Sequence, residues 1–383
     1  MNRLYSGKSH ILILFSATGG GHQAVAEGIS EALQTRYGGD VTTEMVDFIK
    51  DYAPLPFNRT PDWYPRMVRA PRLWSLGYHV TDGRVRARAI SATLWPYVSR
   101  SARALVNRHP SDLIVTVHPL ATSMILKALG ANRPPFVTVV TDYVTNHAFW
   151  YDKRADIILV PTEEARQGAI KYSMDPAKVH VVGMPAPARY CAPSGDKTAL
   201  RQKLGWPLDI PIVLAAGGME GMGPLAKTVE AIAESGLDVG LMVVAGRNIK
   251  LKLELEKRSW AVPHVIYGFT REMPQMLRAA DVIVTKAGAA TVTEALNAHL
   301  PMVFYSRVPG QEDGNVEFVV SQGAGIWAPS PALVVEALSH WIAHPESMAE
   351  ARAACQRVAR PDSANRVADI LAQRMGLAPS TTS

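Results

Sequence analysis

Cysteine is scarce in this chain of 383 residues, which has only Cys191 and Cys355. Two cysteines cannot build a disulfide framework, and neither has other metal ligands at a recognisable spacing, so a disulfide-rich secreted domain and a zinc module are excluded. No apolar run approaches the roughly 20 residues that cross a bilayer as a helix. We therefore expect a protein of the reducing cytoplasm.

Acidic residues and lysine are depleted in one window of the chain. Between Arg59 and Arg108 there are ten arginines, no lysine and two acids, which gives this window a net charge of +8 against +6 for the whole chain. Aromatic and aliphatic residues are interleaved with the arginines, among them Trp63, Tyr64, Met67, Leu73, Trp74, Tyr78, Trp95 and Tyr97. The mixture fits a membrane interface, a nucleic-acid surface or a solvated helical face, and by itself it most often marks the last.

Short apolar runs alternate with helical patterns along the chain, which predicts α/β structure with parallel sheets covered by helices. The predicted strands are Ile11–Phe15, Val41–Val46, Leu113–Val117, Phe136–Val140, Ile157–Val160 and Val179–Val182, then Ile212–Ala216, Val239–Val244, Val265–Ile266, Val282–Val284 and Val303–Phe304. The segment 183–195 between the two series is rich in proline and glycine. We expect two Rossmann-like domains, 1–185 and 186–383, with a helical tail closing the second domain or crossing back to the first.

A phosphate site is predicted in the second half. The apolar run Asp281–Val284 leads into the turn Ala287–Ala290, and a helical pattern starts near Thr291. This arrangement leaves free backbone N–H groups at a helix N-terminus, where a phosphate binds readily. Glu294 falls in the first predicted turn, where its carboxylate could accept two ribose hydroxyls.

A polar loop follows shortly after this helix. Gln311, Glu312 and Asn315 bring acceptors and donors together, as sugar hydroxyls require. Either half alone would fit an ordinary strand, turn and helix with a solvated acidic turn. Together, at this spacing, they favour a nucleotide-sugar site.

A glycine-rich turn also follows the first predicted strand. Gly19, Gly20 and Gly21 let the backbone turn tightly, and His22 is presented where a helix starts, near Gln23. The spacing is not the GxGxxG of dinucleotide sites, so a dinucleotide site is disfavoured. Taken alone, His22 would more often be a turn histidine bonded to the backbone.

Polar residues follow two further strands of the first half. Asp142 and His147 come after the strand that ends at Val140, and the carboxyl ends of parallel strands are where open α/β sheets bind ligands. Either side chain could orient or deprotonate a substrate hydroxyl. Trp150 could line the same pocket, and so could His118, which ends the preceding strand. The alternative is a capped turn with a packed tryptophan.

These strings resemble the monoglycosyldiacylglycerol synthases of glycosyltransferase family 28, a family that also contains the N-acetylglucosaminyltransferase that makes lipid II. The resemblance rests on Gly-Gly-Gly-His at 19–22, on Thr-Asp-x-x-x-x-His-x-x-Trp at 141–150, and on the turn and polar loop of the second half. It extends over nearly the whole chain. It implies the GT-B fold, in which two Rossmann-like domains face an interdomain cleft.

The resemblance also implies roles for individual residues. His22 is the candidate base, Glu294 contacts ribose, Gln311 and Glu312 contact the donor sugar, and Phe269 packs on uracil. The remaining donor contacts implied are Gly217, Gly218, Gly221, Gly288, Ala289, Ala290, Thr291 and Asn315. Two departures stand out: the family usually has Pro-Gly or Gly-Gly in place of Ala289-Ala290, and its arginine two residues after Pro185 is replaced by Pro187, with Arg189 two positions later.

The function expected from these features is transfer of a hexose, galactose or glucose, from UDP-hexose to diacylglycerol with inversion of the anomeric centre. Since the chain lacks an Asp-x-Asp motif, we expect no cofactor and no essential metal, with Lys286 and backbone N–H groups meeting the diphosphate charge. His22 or Asp142 would act as the base, and Asp142 or His147 would orient the acceptor.

The acceptor side is expected to meet an anionic membrane on the inner face of the cell membrane, with no nucleic-acid partner. The residues assigned to the acceptor and membrane surface are Gly20, Gly21, His118, Trp150, Arg66, Arg69, Arg72 and Trp74. The alternatives are transfer of N-acetylglucosamine to a polyprenyl-linked acceptor, a UDP-sugar epimerase, and a UDP-sugar sensor without catalysis.

Overall fold

The computed structural model describes residues 7–18, 20–67, 70–193, 195–221 and 223–378, with the backbone alone at 64–66 and 71. The described strands form two six-stranded sheets in which every pairing is parallel. The chain divides into two compact units, the first comprising Met1–Ala188, Pro309–Gln311 and Asp362–Ser383 and the second Arg189–Val308 and Glu312–Pro361. The α/β class predicted from the sequence is confirmed.

The first unit is built on a sheet of strand order β2-β1-β3-β4-β5-β6. Its elements before the second unit are β1 (Ser9–Phe15), α1 (Gly21–Tyr37), β2 (Val41–Asp47), α2 (Phe48–Tyr52), α3 (Thr60–Met67), α4 (Pro71–Thr81), α5 (Arg84–Arg108), β3 (Leu113–Thr116), α6 (Pro119–Leu129), β4 (Phe136–Val139), β5 (Ile157–Val160), α7 (Glu163–Lys171) and β6 (Val179–Val181). Strand β1 is an inner strand, between β2 and β3, and its residues Ile11–Leu14 are apolar and fully buried because helices cover both faces of a parallel sheet.

The second unit has the strand order β12-β11-β10-β7-β8-β9. Its elements are α8 (Lys197–Leu204), β7 (Ile212–Ala216), α9 (Leu225–Glu234), β8 (Gly240–Val244), α10 (Ile249–Glu256), β9 (His264–Tyr267), α11 (Met273–Ala279), β10 (Val282–Lys286), α12 (Ala289–Asn297), β11 (Met302–Ser306), α13 (Asp313–Ser321), β12 (Gly325–Trp327), α14 (Pro331–Ala343) and α15 (Pro345–Val358). The carboxyl ends of β7 to β11 therefore share one edge of the sheet.

The last helix, α16 (Ser363–Arg374), belongs to the first unit, which is the second of the two positions predicted for the helical tail, although the predicted range 186–383 includes it. Its Asp369 accepts hydrogen bonds from Arg36 Nε (2.8 Å) and Nη2 (3.1 Å) on α1 and from the Tyr37 hydroxyl (2.7 Å). A bidentate arginine pair of this kind fixes geometry as well as charge. The crossing of the tail back to the first unit explains the difference in boundaries.

Helices α3 to α5 form an insertion between β2 and β3, which we call the helical insertion (residues 57–108). Of the sixteen large apolar side chains that are exposed in the described residues, eight lie in the helical insertion, so exposure of apolar surface is concentrated there. Leu73 is 72% exposed and Leu76 61%. Within the described ranges, no helix combines the length and the apolar character needed to cross a membrane.

Candidate active site

His22 sits where the chain turns from β1 into α1. Gly20 makes this turn with φ of +78°, a left-handed conformation that glycine adopts without strain. Gly21 and His22 are the first two residues of α1, so the imidazole projects from the start of the helix. Gly19, which completes the glycine run, lies outside the described residues.

The contacts of His22 determine its tautomer. Its Nδ1 lies 2.7 Å from the carbonyl oxygen of Val117, and because a carbonyl can only accept, Nδ1 carries the hydrogen. The Thr141 hydroxyl oxygen lies 3.0 Å from the same nitrogen. Among the described residues nothing is hydrogen-bonded to Nε2, which in the neutral ring has a free lone pair. Desolvation lowers the pKa of His22 to about 4, against the opposing effect of the Val117 carbonyl, so the ring is neutral near pH 7.

His118 packs against His22, with ring centroids 4.5 Å apart. It is buried, and its Nδ1 accepts the N–H of Leu120 at the start of α6 (3.3 Å), so Nε2 carries the hydrogen towards Thr18 Oγ1 (3.3 Å). Burial, followed by the neighbouring His22, holds the pKa of His118 well below its usual range. We predicted that His118 lines a pocket, but the structure buries it as a neutral support for the catalytic candidate.

Trp150 does not line a pocket as predicted, because its side chain is 0% exposed and belongs to the core of the first unit. Its indole Nε1 donates to Asp142 Oδ2 at 3.2 Å, and its ring centroid lies 6.1 Å from that of His22. Burying an indole requires a partner for its N–H, and Asp142 supplies one. From the core of the first unit, Trp150 therefore fixes the Asp142 carboxylate close to His22.

Both ring nitrogens of His147 are hydrogen-bonded within the chain. Its Nδ1 accepts the N–H of Phe149 (3.2 Å), and its Nε2 lies 3.1 Å from the Thr81 hydroxyl on α4. Burial lowers the pKa of His147 below its usual value. Asp82, which follows α4, accepts the N–H of Ala148 at 2.9 Å. The loop that carries Asp142 is thus tied to the helical insertion, through two residues that sequence reasoning missed.

In the second unit, a buried ion pair lies at the edge that the sequence predicts as the donor site. Lys286 ends β10, and its Nζ lies 2.5 Å from Glu312 Oε1. The side chains are 13% and 7% exposed. The other carboxylate oxygen of Glu312 accepts the N–H of Val308 at 2.8 Å. Both oxygens of this predicted sugar-binding residue are therefore engaged within the chain.

Two glycines leave room for Lys286. A Cβ at Gly288, the residue before α12, would lie 2.9 Å from Lys286 Nζ. A Cβ at Gly218, where φ is +70°, would lie 3.3 Å from Lys286 Cε. The ammonium group thus lies at the N-terminus of α12, beside the glycine-rich loop. The first residues of a helix lack intrahelical partners for their N–H groups, so the lysine and this helix end can meet one anion.

Glu294 lies in the second turn of α12, because the helix begins at Ala289 and not near Thr291 as predicted. Desolvation raises the pKa of its carboxyl to about 8, and the charge of Arg189 opposes this rise. The guanidinium carbon of Arg189 lies 5.3 Å from the centroid of the Tyr190 ring. Arg189, which departs from the family pattern, thus acts electrostatically on the predicted ribose ligand.

The glycine-rich loop at 217–223 is anchored to the end of β8. Gly221 has φ of +56°, its carbonyl accepts Asn248 Nδ2 (3.2 Å), and the carbonyl of Met219 accepts the N–H of Arg247 (2.8 Å). Met222 lies outside the described residues. These contacts fix the described part of the loop after β8, at the same sheet edge as Lys286.

Phe269, predicted to pack on uracil, follows β9 and is 56% exposed. The guanidinium carbon of Arg247 lies 5.5 Å from its ring centroid, a cation–π distance. Sequence reasoning missed Arg247, which follows a strand without any motif of its own. The pair presents an aromatic face suited to a nucleobase.

The remaining predicted site residues lie in several different parts of the structure. Asn315 is buried, and its Nδ2 donates to the Ala287 carbonyl (2.9 Å), so it fixes the turn before α12. Gln311 belongs to a segment grouped with the first unit. On the insertion, Arg72 is exposed and Trp74 half-buried, while the side chain of Arg66 and the whole of Arg69 lie outside the described residues. The described His, Cys, Asp and Glu side chains form no cluster of three suited to a metal.

The family models match both halves of the chain. Residues 22–186 match "Monogalactosyldiacylglycerol (MGDG) synthase", and residues 213–372 match the "Glycosyltransferase family 28 C-terminal domain". Among solved structures, MurG of Acinetobacter baumannii is similar with a TM-score of 0.63 at 14% identity, over 95% of this chain and 99% of that chain. The fold and the matched domains define a glycosyltransferase of the GT-B class, as predicted.

Curated relatives narrow the class to a family. A Glycine max protein named "Probable monogalactosyldiacylglycerol synthase, chloroplastic" is 34% identical over 92% of this chain and 69% of its own length. Monogalactosyldiacylglycerol synthase 3 of Arabidopsis thaliana is 34% identical over 87% of this chain and 74% of its own length. The chain belongs to the monogalactosyldiacylglycerol synthase family.

Proposed function

We propose that this chain transfers a hexose from UDP-hexose to the free hydroxyl of diacylglycerol and so makes a monoglycosyldiacylglycerol. Family membership supports the substrate pair. The observation that carries the chemistry is the arrangement of His22, whose Nδ1 hydrogen is fixed by the Val117 carbonyl while Nε2 is left free. A neutral imidazole whose second nitrogen has a free lone pair can accept a proton and so serve as a general base.

The reaction is a single displacement. Nε2 of His22 takes the proton of the acceptor hydroxyl as that oxygen attacks the anomeric carbon, and the bond from that carbon to the diphosphate oxygen breaks with its electron pair leaving on UDP. Attack opposite the leaving group inverts the anomeric centre. A general base of this kind contributes about 10² to 10⁴ in rate.

The supports around the base have distinct roles in this proposal. Thr141 and the Val117 carbonyl hold the ring of His22, and the carbonyl also stabilises the imidazolium that forms. We assign the orientation of the acceptor to Asp142, since His147 has both ring nitrogens engaged. If Asp142→Asn abolished turnover while His22→Ala kept it near normal, the base would be Asp142.

The second unit is proposed to bind the donor. Phe269 and Arg247 would stack on uracil, and Glu294 would accept the ribose hydroxyls. Lys286 and the N-terminus of α12 would meet the diphosphate, with Gly218 allowing close approach. Fixed positive groups at the leaving oxygens perform the task that a divalent ion performs elsewhere, so we propose that the reaction needs no metal.

We further propose that the helical insertion docks on an anionic membrane, with the protein peripheral to the inner face of the cell membrane. Exposed leucines at Leu73 and Leu76 lie on the same helix as Arg72, the combination that membrane-surface helices show. Each arginine near an anionic surface contributes about 1 kcal/mol, and salt screens this attraction. Membrane docking would bring the acceptor to the first unit without extracting it from the bilayer.

An acceptor comparison tests the proposed function. UDP release from UDP-galactose or UDP-glucose is measured with vesicles that contain diacylglycerol, with vesicles that contain a polyprenyl-linked acceptor, and without acceptor, each with and without EDTA. We expect release only with diacylglycerol and no effect of EDTA. Release that needs the polyprenyl acceptor would indicate the peptidoglycan-type reaction, and sugar conversion without acceptor would indicate an epimerase.

A further inference from the structure

We propose that the Glu312 carboxylate pairs with Lys286 when no donor is bound, and that the diphosphate of the donor displaces Glu312 from this lysine. The freed carboxylate then accepts hydroxyl hydrogens of the donor sugar. Glu312 would thereby favour UDP-hexose over the product UDP. This inference rests on the proposed function of the second unit as the UDP-hexose site.

The first step of the argument is the position of Lys286. Its ammonium lies where a Cβ of Gly288 would contact it, at the start of α12. The N-terminus of a helix carries a partial positive charge, so a cation placed there is unfavourable without a nearby anion. An ammonium at this position is suited to binding a phosphate, which the helix N-terminus also attracts.

The second step is the anion that the chain itself supplies. Glu312 Oε1 lies 2.5 Å from Lys286 Nζ, and both side chains are largely buried. A buried ammonium without a partner is strongly unfavourable, and the carboxylate neutralises it. The Glu312 carboxylate therefore stands where a phosphate oxygen would meet Lys286.

The third step is what happens to Glu312 once a diphosphate takes Lys286. One carboxylate oxygen retains the N–H of Val308, and the other loses its donor. A buried carboxylate with an unmet acceptor beside a diphosphate is destabilising. The hydroxyls of a donor sugar supply the missing donors, whereas UDP ends at its diphosphate and carries no hydroxyl beyond it, since its ribose hydroxyls are assigned to Glu294. The carboxylate thus penalises UDP and accommodates UDP-hexose, which would also speed product release.

Calorimetry with uridine, UDP and UDP-galactose, without acceptor, tests the exchange on the wild type, Glu312→Gln and Lys286→Met. Glutamine is isosteric, and its side-chain oxygen can still accept the Val308 N–H. We expect Glu312→Gln to bind UDP severalfold more tightly, with no gain for UDP-galactose, so that the preference for the sugar nucleotide falls. Lys286→Met should weaken UDP severalfold and leave uridine unchanged. Glu256→Gln on α10, whose side chain pairs with Lys252, is the matched control and should change nothing.

The other outcomes overturn the proposal in distinguishable ways. Unchanged UDP affinity in Glu312→Gln would show that Glu312 does not compete for Lys286, although the UDP site would stand. Equal gains for UDP and UDP-galactose would show plain charge repulsion without a sugar contact. Loss of uridine binding as well would show that the pair is only structural. If the wild type bound none of the three ligands, the proposed function itself would fail.

Discussion

The protonation of Glu294 should make donor binding depend on pH. Desolvation raises the pKa of this carboxyl to about 8, so without a bound donor it is mostly neutral at pH 7. Ribose hydroxyls donate hydrogen bonds to a carboxylate and stabilise its charged form, which lowers the pKa in the complex. Binding must therefore release a proton, and the affinity should be highest above pH 8 and fall as the pH decreases.

The magnitude follows from proton linkage. With one proton released, the affinity changes by about tenfold per pH unit below the free pKa, or about 1.4 kcal/mol per unit. Between pH 8 and pH 6 the loss should be roughly fiftyfold, because half of the sites are ionised at the first pH and about one in a hundred at the second. Protonation of Glu294 in the free protein is the reason for this direction.

Titration calorimetry with UDP-galactose at pH 6, 7 and 8, in buffers of different ionisation enthalpy, measures both the affinity and the protons released. UDP-galactose is used instead of UDP, because a terminal phosphate has a pKa of about 6 and would itself titrate in this range. Glu294→Gln should bind weakly with no slope in this range. Equal affinity of the wild type at pH 6 and 8, or a slope that persists in Glu294→Gln, would refute ribose binding by an ionised Glu294.

Three further predictions concern the first unit. His22→Ala should lose about 10² to 10⁴ in turnover, measured as UDP release, with UDP-hexose affinity unchanged in calorimetry. Changing Leu73 and Leu76 together to serine should release the protein from anionic vesicles in sedimentation, whereas Leu253→Ser, a similarly exposed site of the second unit, should not. Trp150→Ala should lower the free energy of unfolding in urea by about 3–5 kcal/mol, since it empties a fully buried site.

Each of these has a contrary result. Near-normal turnover of His22→Ala would return this residue to a turn histidine. Vesicle binding that is unchanged by the leucine substitutions and insensitive to salt would indicate a solvated face. A small effect of Trp150→Ala on stability together with loss of activity would indicate that the tryptophan contacts substrate after all.

Periodicity was sufficient for most of the fold. The eleven predicted strands are present because buried parallel strands are continuous apolar runs, which the sequence shows directly. Strand β12 (Gly325–Trp327) was missed, because three residues carry no readable period. The start of α12 was placed two residues late, since Ala289 and Ala290 read equally well as turn or helix.

The motifs located the site but did not show which way its side chains face. The positions of His118 and Trp150 after predicted strands correctly indicated the carboxyl edge of the sheet. Both side chains are nevertheless buried and do not face a ligand. Whether a residue after a strand points to solvent or to the core depends on the loop path, which local spacing does not encode. Contacts between distant positions, such as Lys286 with Glu312, were likewise outside the reach of pattern reasoning.

The most direct test of the account is lipid mass spectrometry after incubation of the protein with diacylglycerol vesicles and UDP-galactose or UDP-glucose. The account predicts one new lipid with the mass of diacylglycerol plus one hexose, with the anomeric configuration opposite to that of the donor by proton NMR, and its loss in His22→Ala. Absence of a glycosylated lipid with both donors, from a protein shown by calorimetry to bind them, would contradict the central claim.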